Sequence, residues 1–110
     1  MFPWIDRRKH KRVQTEGEVR IREPGAPEAE VHYGRLYDLS SGGLSFGDSL
    51  KHEVGAELEL SIFFDQSNIV ARGRVAWGNK LREDLYQYGV EFLHFDVMAR
   101  KKISDYVERF

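Results

Sequence analysis

The chain contains no cysteine, which excludes a disulfide framework and any thiolate metal site. It also lacks a long apolar run. Nothing approaches the roughly 18 consecutive apolar residues that a helical membrane span needs. The opening Met1-Phe2-Pro3-Trp4-Ile5-Asp6 has no apolar stretch behind a basic start, so no secretory signal is expected. There is no Gly-x-Ser-x-Gly elbow, no Walker loop and no Gly-x-Gly-x-x-Gly turn. Ser40 and Ser41 have no identifiable base, and no carboxylate pair stands out for acid–base work. His10, His32, His52 and His94 are scattered without the spacing of a zinc site. The expectation is a soluble, cytoplasmic domain with no catalysis, no metal and no cofactor.

Positive charge is also missing where a nucleic-acid binder would need it. Net charge is −1 over 110 residues, but residues 1–12 carry +4 and the remainder −5. A polymer-binding protein usually spreads its cations over a face. Here they are concentrated in one arm, Arg7-Arg8-Lys9-His10-Lys11-Arg12, on an acidic body. That favours a small anionic ligand or one local contact.

What is present reads mainly as strands. Val13, Thr15, Gly17, Val19 and Ile21 alternate through Val13 to Arg22, and Glu23-Pro24-Gly25-Ala26-Pro27 makes a turn. A second strand is expected over Glu30 to Ser40, on the alternation Val31, Tyr33, Tyr37, Leu39. Leu44-Ser45-Phe46 starts a short third. Ala56, Leu58, Leu60, Ile62 and Phe64 give the clearest alternation, and Asp65-Gln66-Ser67-Asn68 turns the chain. The hairpin partner runs from Ile69 to Trp77, with Ile69, Ala71, Val75 and Trp77 on one face. Gly78 to Asp84 reads as a polar loop and Leu85 to Phe95 as the last strand. Short strands joined by tight turns imply a small antiparallel barrel or sandwich. Asp96 then caps a helix whose stripe is Ala99, Ile103, Tyr106 and Phe110.

Two segments carry chemistry. In Asp38-Leu39-Ser40, a strand points Asp38 and Ser40 to one face and Leu39 to the core. Gly42-Gly43 then turns the chain and leaves backbone uncovered for a ligand. Alone, this is an ordinary turn, and alone the basic run is a solvated tail. Together they are complementary: guanidinium forks suit guanine acceptor edges and phosphates, and a carboxylate accepts from guanine N–H donors. Trp77 is a further candidate, since an indole beside a guanine supplies stacking, although rim packing explains it as well.

The spacing Arg8-x-x-x-Arg12 followed by Asp38-x-Ser40-x-x-Gly43 resembles the paired signature of PilZ domains. Gly73-Arg74-Val75-Ala76-Trp77 and Tyr88-Gly89-Val90-Glu91-Phe92 are similar to the family's later strands, so the resemblance runs from about Asp6 to Phe110. It implies a mainly β protein, a six-stranded antiparallel barrel with a C-terminal helix over residues 13–110, preceded by the arm at 1–12. It implies a bacterial receptor for cyclic di-GMP (c-di-GMP) bound on the outer barrel surface. Arg8 and Arg12 would wrap over guanine and phosphate, Asp38 and Ser40 would contact the ligand from the barrel, and Gly43 would keep the turn open. Some members carry an extra arginine before the motif and differ in stoichiometry, so Arg7 is expected to clamp a second ligand molecule. Output would pass to a downstream protein that the sequence does not name, with motility, exopolysaccharide synthesis and virulence all open. Two other readings are a single-stranded nucleic-acid barrel, disfavoured by the acidic body, and a protein-interaction module without nucleotide.

Overall fold

The computed structural model describes residues 11–27 and 30–110. Six strands form in chain order: β1 (Val13–Arg22), β2 (His32–Leu39), β3 (Gly43–Asp48), β4 (Glu57–Phe64), β5 (Ser67–Arg82) and β6 (Leu85–Phe95). All pairings are antiparallel, and they close into a barrel in the order β1-β2-β3-β6-β5-β4. The helix α1 (Val97–Glu108) follows at once, its first turn capped by the Asp96 carboxylate accepting from the Ala99 N–H at 2.7 Å.

The barrel is filled by the inward half of each alternating strand. Val19, Ile21, Leu36, Leu39, Leu44, Phe46, Leu58, Leu60, Ile62 and Val75 are fully buried. Each large side chain removed from water contributes about 1.5–3 kcal/mol. The helix closes the end that holds the β2–β3 and β4–β5 turns. Ala99, Ile103, Tyr106 and Val107 are buried there, and Tyr106 meets Phe64 edge to face at 5.1 Å. Arg109 pairs with Asp65 of the β4–β5 turn, and the Ser104 hydroxyl lies 3.4 Å from that of Ser41. Phe110, expected on the buried stripe, is exposed, and Val107 takes its place.

Four strand expectations change, each for a physical reason. Gly78 to Asp84 is not a loop: β5 and β6 continue as a paired ribbon to Arg82↔Leu85, and only Glu83-Asp84 turns. The ribbon is polar because β5 is exposed over this stretch, so it has no buried side to set an alternation. Likewise Ser67 and Asn68 are already paired with Phe64 and Phe63, and Asp65 and Gln66 alone make the turn, at φ 48° and 61°. Two positive φ values in a two-residue hairpin suit the strand twist. In β2 the buried residues are Gly34, Leu36 and Leu39 rather than Tyr33 and Tyr37, because a register shift between Leu36 and Asp38 moves the inward phase by one. A second shift between Val75 and Trp77 takes Trp77 off the face it was expected to share with Val75.

Candidate ligand-binding face

The register places two of the candidate residues, Asp38 and Trp77, in one row across the outside of the barrel. Val13, Leu39, Leu44, Val90 and Val75 pair in sequence across β1-β2-β3-β6-β5, and all five are buried. The neighbouring row is Gln14, Asp38, Ser45, Gly89 and Trp77. Side chains alternate along each strand, so this second row faces outward. Asp38 stands at one edge and Trp77 at the other, three strand spacings or about 14 Å apart. Between them lie only a serine and a glycine.

Each edge is built by a local device. At the Trp77 edge, the bulge before it turns the side chain outward, where 38% of it stays accessible. The indole lies across Gly89, whose hypothetical Cβ would sit 2.1 Å from Trp77 Nε1. Only glycine admits the ring so close to the sheet. At the other edge, Arg12 precedes β1 and donates from Nη1 to Asp38 Oδ1 at 2.5 Å, joining positions 26 residues apart. The pair is partly exposed, 29% for Arg12 and 22% for Asp38. Arg12 Nε and Ser45 Oγ are buried without a hydrogen-bond partner among the described residues.

Ser40 does not share the outward face. The strand ends at Leu39, and the Ser40 hydroxyl turns back into the β2–β3 turn. It accepts from the N–H groups of Gly42 (3.2 Å) and Gly43 (3.1 Å) and donates to the Gly43 carbonyl (3.2 Å). One donor and two acceptor sites are all a hydroxyl has, and the residue is buried. The expected platform of carboxylate plus hydroxyl is therefore a carboxylate alone. Gly43 is explained by packing as well: a Cβ there would stand 2.1 Å from the Val90 carbonyl oxygen. Arg7 and Arg8 lie outside the described residues, as does the arm up to residue 10. Sequence reasoning passed over Ser45 and Gly89, whose place between Asp38 and Trp77 is set by register across three strands.

The fold is that of a known family. The family model described as "PilZ domain" matches residues 6–109. The chain belongs to the PilZ domain family. Solved structures agree in fold. The Bacillus subtilis inhibitor of motility, MotI/DgrA, superposes with a TM-score of 0.77 at 18% identity, covering 93% of this chain and 50% of that one. YcgR from Escherichia coli, in complex with c-di-GMP, gives 0.76 at 15% identity, over 94% of this chain and 45% of that one. The K. pneumonia MrkH–c-di-GMP complex gives 0.75 at 14%, over 91% and 50%. The PilZ chain thus spans about half the length of these proteins. No curated protein is close enough in sequence to count as a match.

The histidines are not all scattered once the PilZ barrel is formed. His32 at the start of β2 and His52 in the β3–β4 connection meet at Asp48, the last residue of β3. Burial alone would push the Asp48 carboxyl up. Hydrogen bonds from His52, His32 and the Leu50 N–H outweigh that and hold it below the usual carboxylate value. No local spacing reveals the cluster, because the β2–β3 register brings residue 32 beside 48. Among the described residues, no helix is long and apolar enough to cross a membrane.

Proposed function

We propose that this PilZ chain is a receptor for c-di-GMP, held on the outer face between Asp38 and Trp77. The observation that carries the reading is Arg12 drawn onto Asp38 at the edge of that face, which joins the two halves of the signature. The Asp38 carboxylate accepts from the N1–H and N2–H donors of a guanine. The Arg12 fork reaches O6 and N7 or a phosphate oxygen, and its unpartnered Nε gains an acceptor. The Trp77 indole, lying across Gly89, offers an aromatic surface at the far edge on which a flat purine stacks. Arg8 acts beside Arg12 from the arm, residues 1–12, against the body, residues 13–110. Ser40 and Gly43 serve the ligand by fixing the turn behind Asp38.

Two solved relatives carry this ligand, which supports the choice of c-di-GMP over other guanine nucleotides. The signal is ordering of the arm. A polycationic segment gives up conformational entropy as it closes over two phosphates, and it then presents a new surface to a downstream protein. Arg7 clamps a second c-di-GMP against the first.

Calorimetric titration of c-di-GMP, set against GTP, GMP, cyclic GMP and single-stranded DNA, tests the reading. Saturable binding of c-di-GMP alone is expected. An Arg–guanine contact is worth about 1–3 kcal/mol, so Arg8→Ala or Arg12→Ala lowers affinity roughly tenfold to a hundredfold. Arg12→Ala binding as tightly as wild type overturns the assignment, and steep salt-dependent binding of DNA without c-di-GMP binding replaces it. One ligand per protomer in the wild type removes the role given to Arg7. Unchanged amide protection before Val13 on adding ligand removes arm ordering.

A further inference from the structure

We propose that His32, Asp48 and His52 form a binding site for one divalent transition-metal ion of the zinc class, at the end of the barrel opposite the signature. His32 Nε2 lies 2.7 Å and His52 Nε2 2.6 Å from the same oxygen, Asp48 Oδ2. The three donor atoms fall within 4.8 Å of one another. Two imidazoles and one carboxylate are the donors that zinc and its neighbours prefer, and three protein ligands leave a fourth position open. This site does not depend on the nucleotide reading.

The geometry of the cluster suits an ion at its centre. The two rings are stacked, 11° from parallel with centroids 5.5 Å apart, and both present Nε2 to the same carboxylate oxygen. The His32 Nδ1 lies 3.5 Å from the Glu30 carbonyl, the kind of contact that the outer nitrogen of a ligating imidazole makes. Binding an ion replaces the two Nε2 hydrogen bonds to Asp48 and releases their protons to solvent. Metal–ligand distances of about 2.0–2.2 Å put tetrahedral donors roughly 3.3 Å apart, so the His32–Asp48 and His52–Asp48 edges, now 2.7 and 2.6 Å, open by little more than half an ångström.

The surroundings hold the ligands in place as supporting groups of metal sites do. The Leu50 N–H occupies Asp48 Oδ1 at 3.3 Å and leaves Oδ2 facing the histidines. The Tyr88 hydroxyl accepts from the His52 N–H at 2.8 Å and donates to the Leu50 carbonyl at 3.1 Å, which fixes the β3–β4 connection. Asp48 is 1% and His52 5% accessible in their side chains, whereas His32 is 24% accessible. His32 and His52 also border a cavity of about 350 Å³ that reaches Glu23 and Glu30, with room for water or a further ligand on the ion. The ion ties the start of β2 to the chain leaving β3.

The test uses the full chain, stripped with a chelator and dialysed, then titrated with cobalt(II) and zinc(II) chloride. One equivalent of cobalt is expected to give the visible absorption of a four-coordinate nitrogen–oxygen site, and zinc to abolish it. Zinc at a hundredfold excess over Kd should raise Tm by roughly 10 °C or more. His32→Gln, at the most accessible ligand, should fold, lose the cobalt spectrum and lose the zinc-dependent rise in Tm. His94→Ala should change neither. Absence of a cobalt spectrum or of a zinc-dependent Tm shift in the wild type overturns the proposal. So does metal binding by His32→Gln at wild-type affinity, which would place the ion elsewhere.

Discussion

The β2–β3 hairpin carries a carboxylate near each end, and the two are treated in opposite ways. Asp38, by the turn, points outward, and Arg12 is a partner that it can exchange for a ligand. Asp48, five residues along from Gly43, is enclosed and receives hydrogen bonds from two imidazoles and a backbone N–H. The chemistry of the side chain is the same. What differs is how much of its hydrogen-bonding capacity the fold has already used. A partly exposed, half-used carboxylate suits a passing solute, and a buried, satisfied one holds structure or an ion.

The contrast is tested most severely at the buried end. With chelator present, Asp48→Ala leaves two imidazoles facing a void and removes the acceptor of the Leu50 N–H. Each stranded buried donor costs about 1–3 kcal/mol, so a loss near 3 kcal/mol is expected in urea unfolding. Asp48→Ala unfolding within 1 kcal/mol of wild type, a bound set by the value of exposed pairs, would erase the distinction between the two ends. Next in size is Gly43→Ala. Its new Cβ would press on the Val90 carbonyl and force β3 away from β6. Overpacking of this kind costs about 1–3 kcal/mol, and both stability and c-di-GMP affinity should fall.

Much of this arrangement is legible in the sequence, and the remainder is hidden for identifiable reasons. Val13–Arg22, Glu57–Phe64 and Leu85–Phe95 can be read as strands because each sets at least part of one face against the core. The helix is announced by its Asp96 cap and its change of period. The ribbon beyond Gly78 has no such face on β5, so its polarity reads as a loop. Single-residue register shifts at Tyr37 and Ala76 reverse which residues point in, and alternation alone contains no sign of them. Ser40 misleads because β2 ends at Leu39, one residue before it, and the two-residue period ends with the strand. The histidine cluster and the placing of Trp77 over Gly89 depend on register between strands, which one sequence does not print.

Ser40 offers a sharper cut at the signature end, because its hydroxyl is fully used within the turn. Ser40→Ala strands two glycine N–H groups and should cost about 1–2 kcal/mol of stability. Its affinity for c-di-GMP should fall less than that of Asp38→Ala, for which a loss of tenfold or more is expected from one bidentate base contact. If Ser40→Ala instead keeps its stability and loses as much affinity as Asp38→Ala, then the hydroxyl touches the ligand directly, and the turn must open to release it.

The smallest expected effect is also the most diagnostic. Asp38→Asn keeps the shape of the side chain and removes its charge, weakening a partly exposed pair with Arg12. Pairs of this exposure are worth roughly 0.2–1 kcal/mol, so the unfolding midpoint should barely move. An amide still accepts through its oxygen, but it presents N–H donors to the guanine N–H that the carboxylate would have received. Stability and binding should therefore part company at this position and stay together at Asp48→Ala, where loss of the carboxylate disturbs the fold first. A large stability loss in Asp38→Asn would mean that the Arg12–Asp38 pair holds the barrel closed, and the outward carboxylate would then be structural after all.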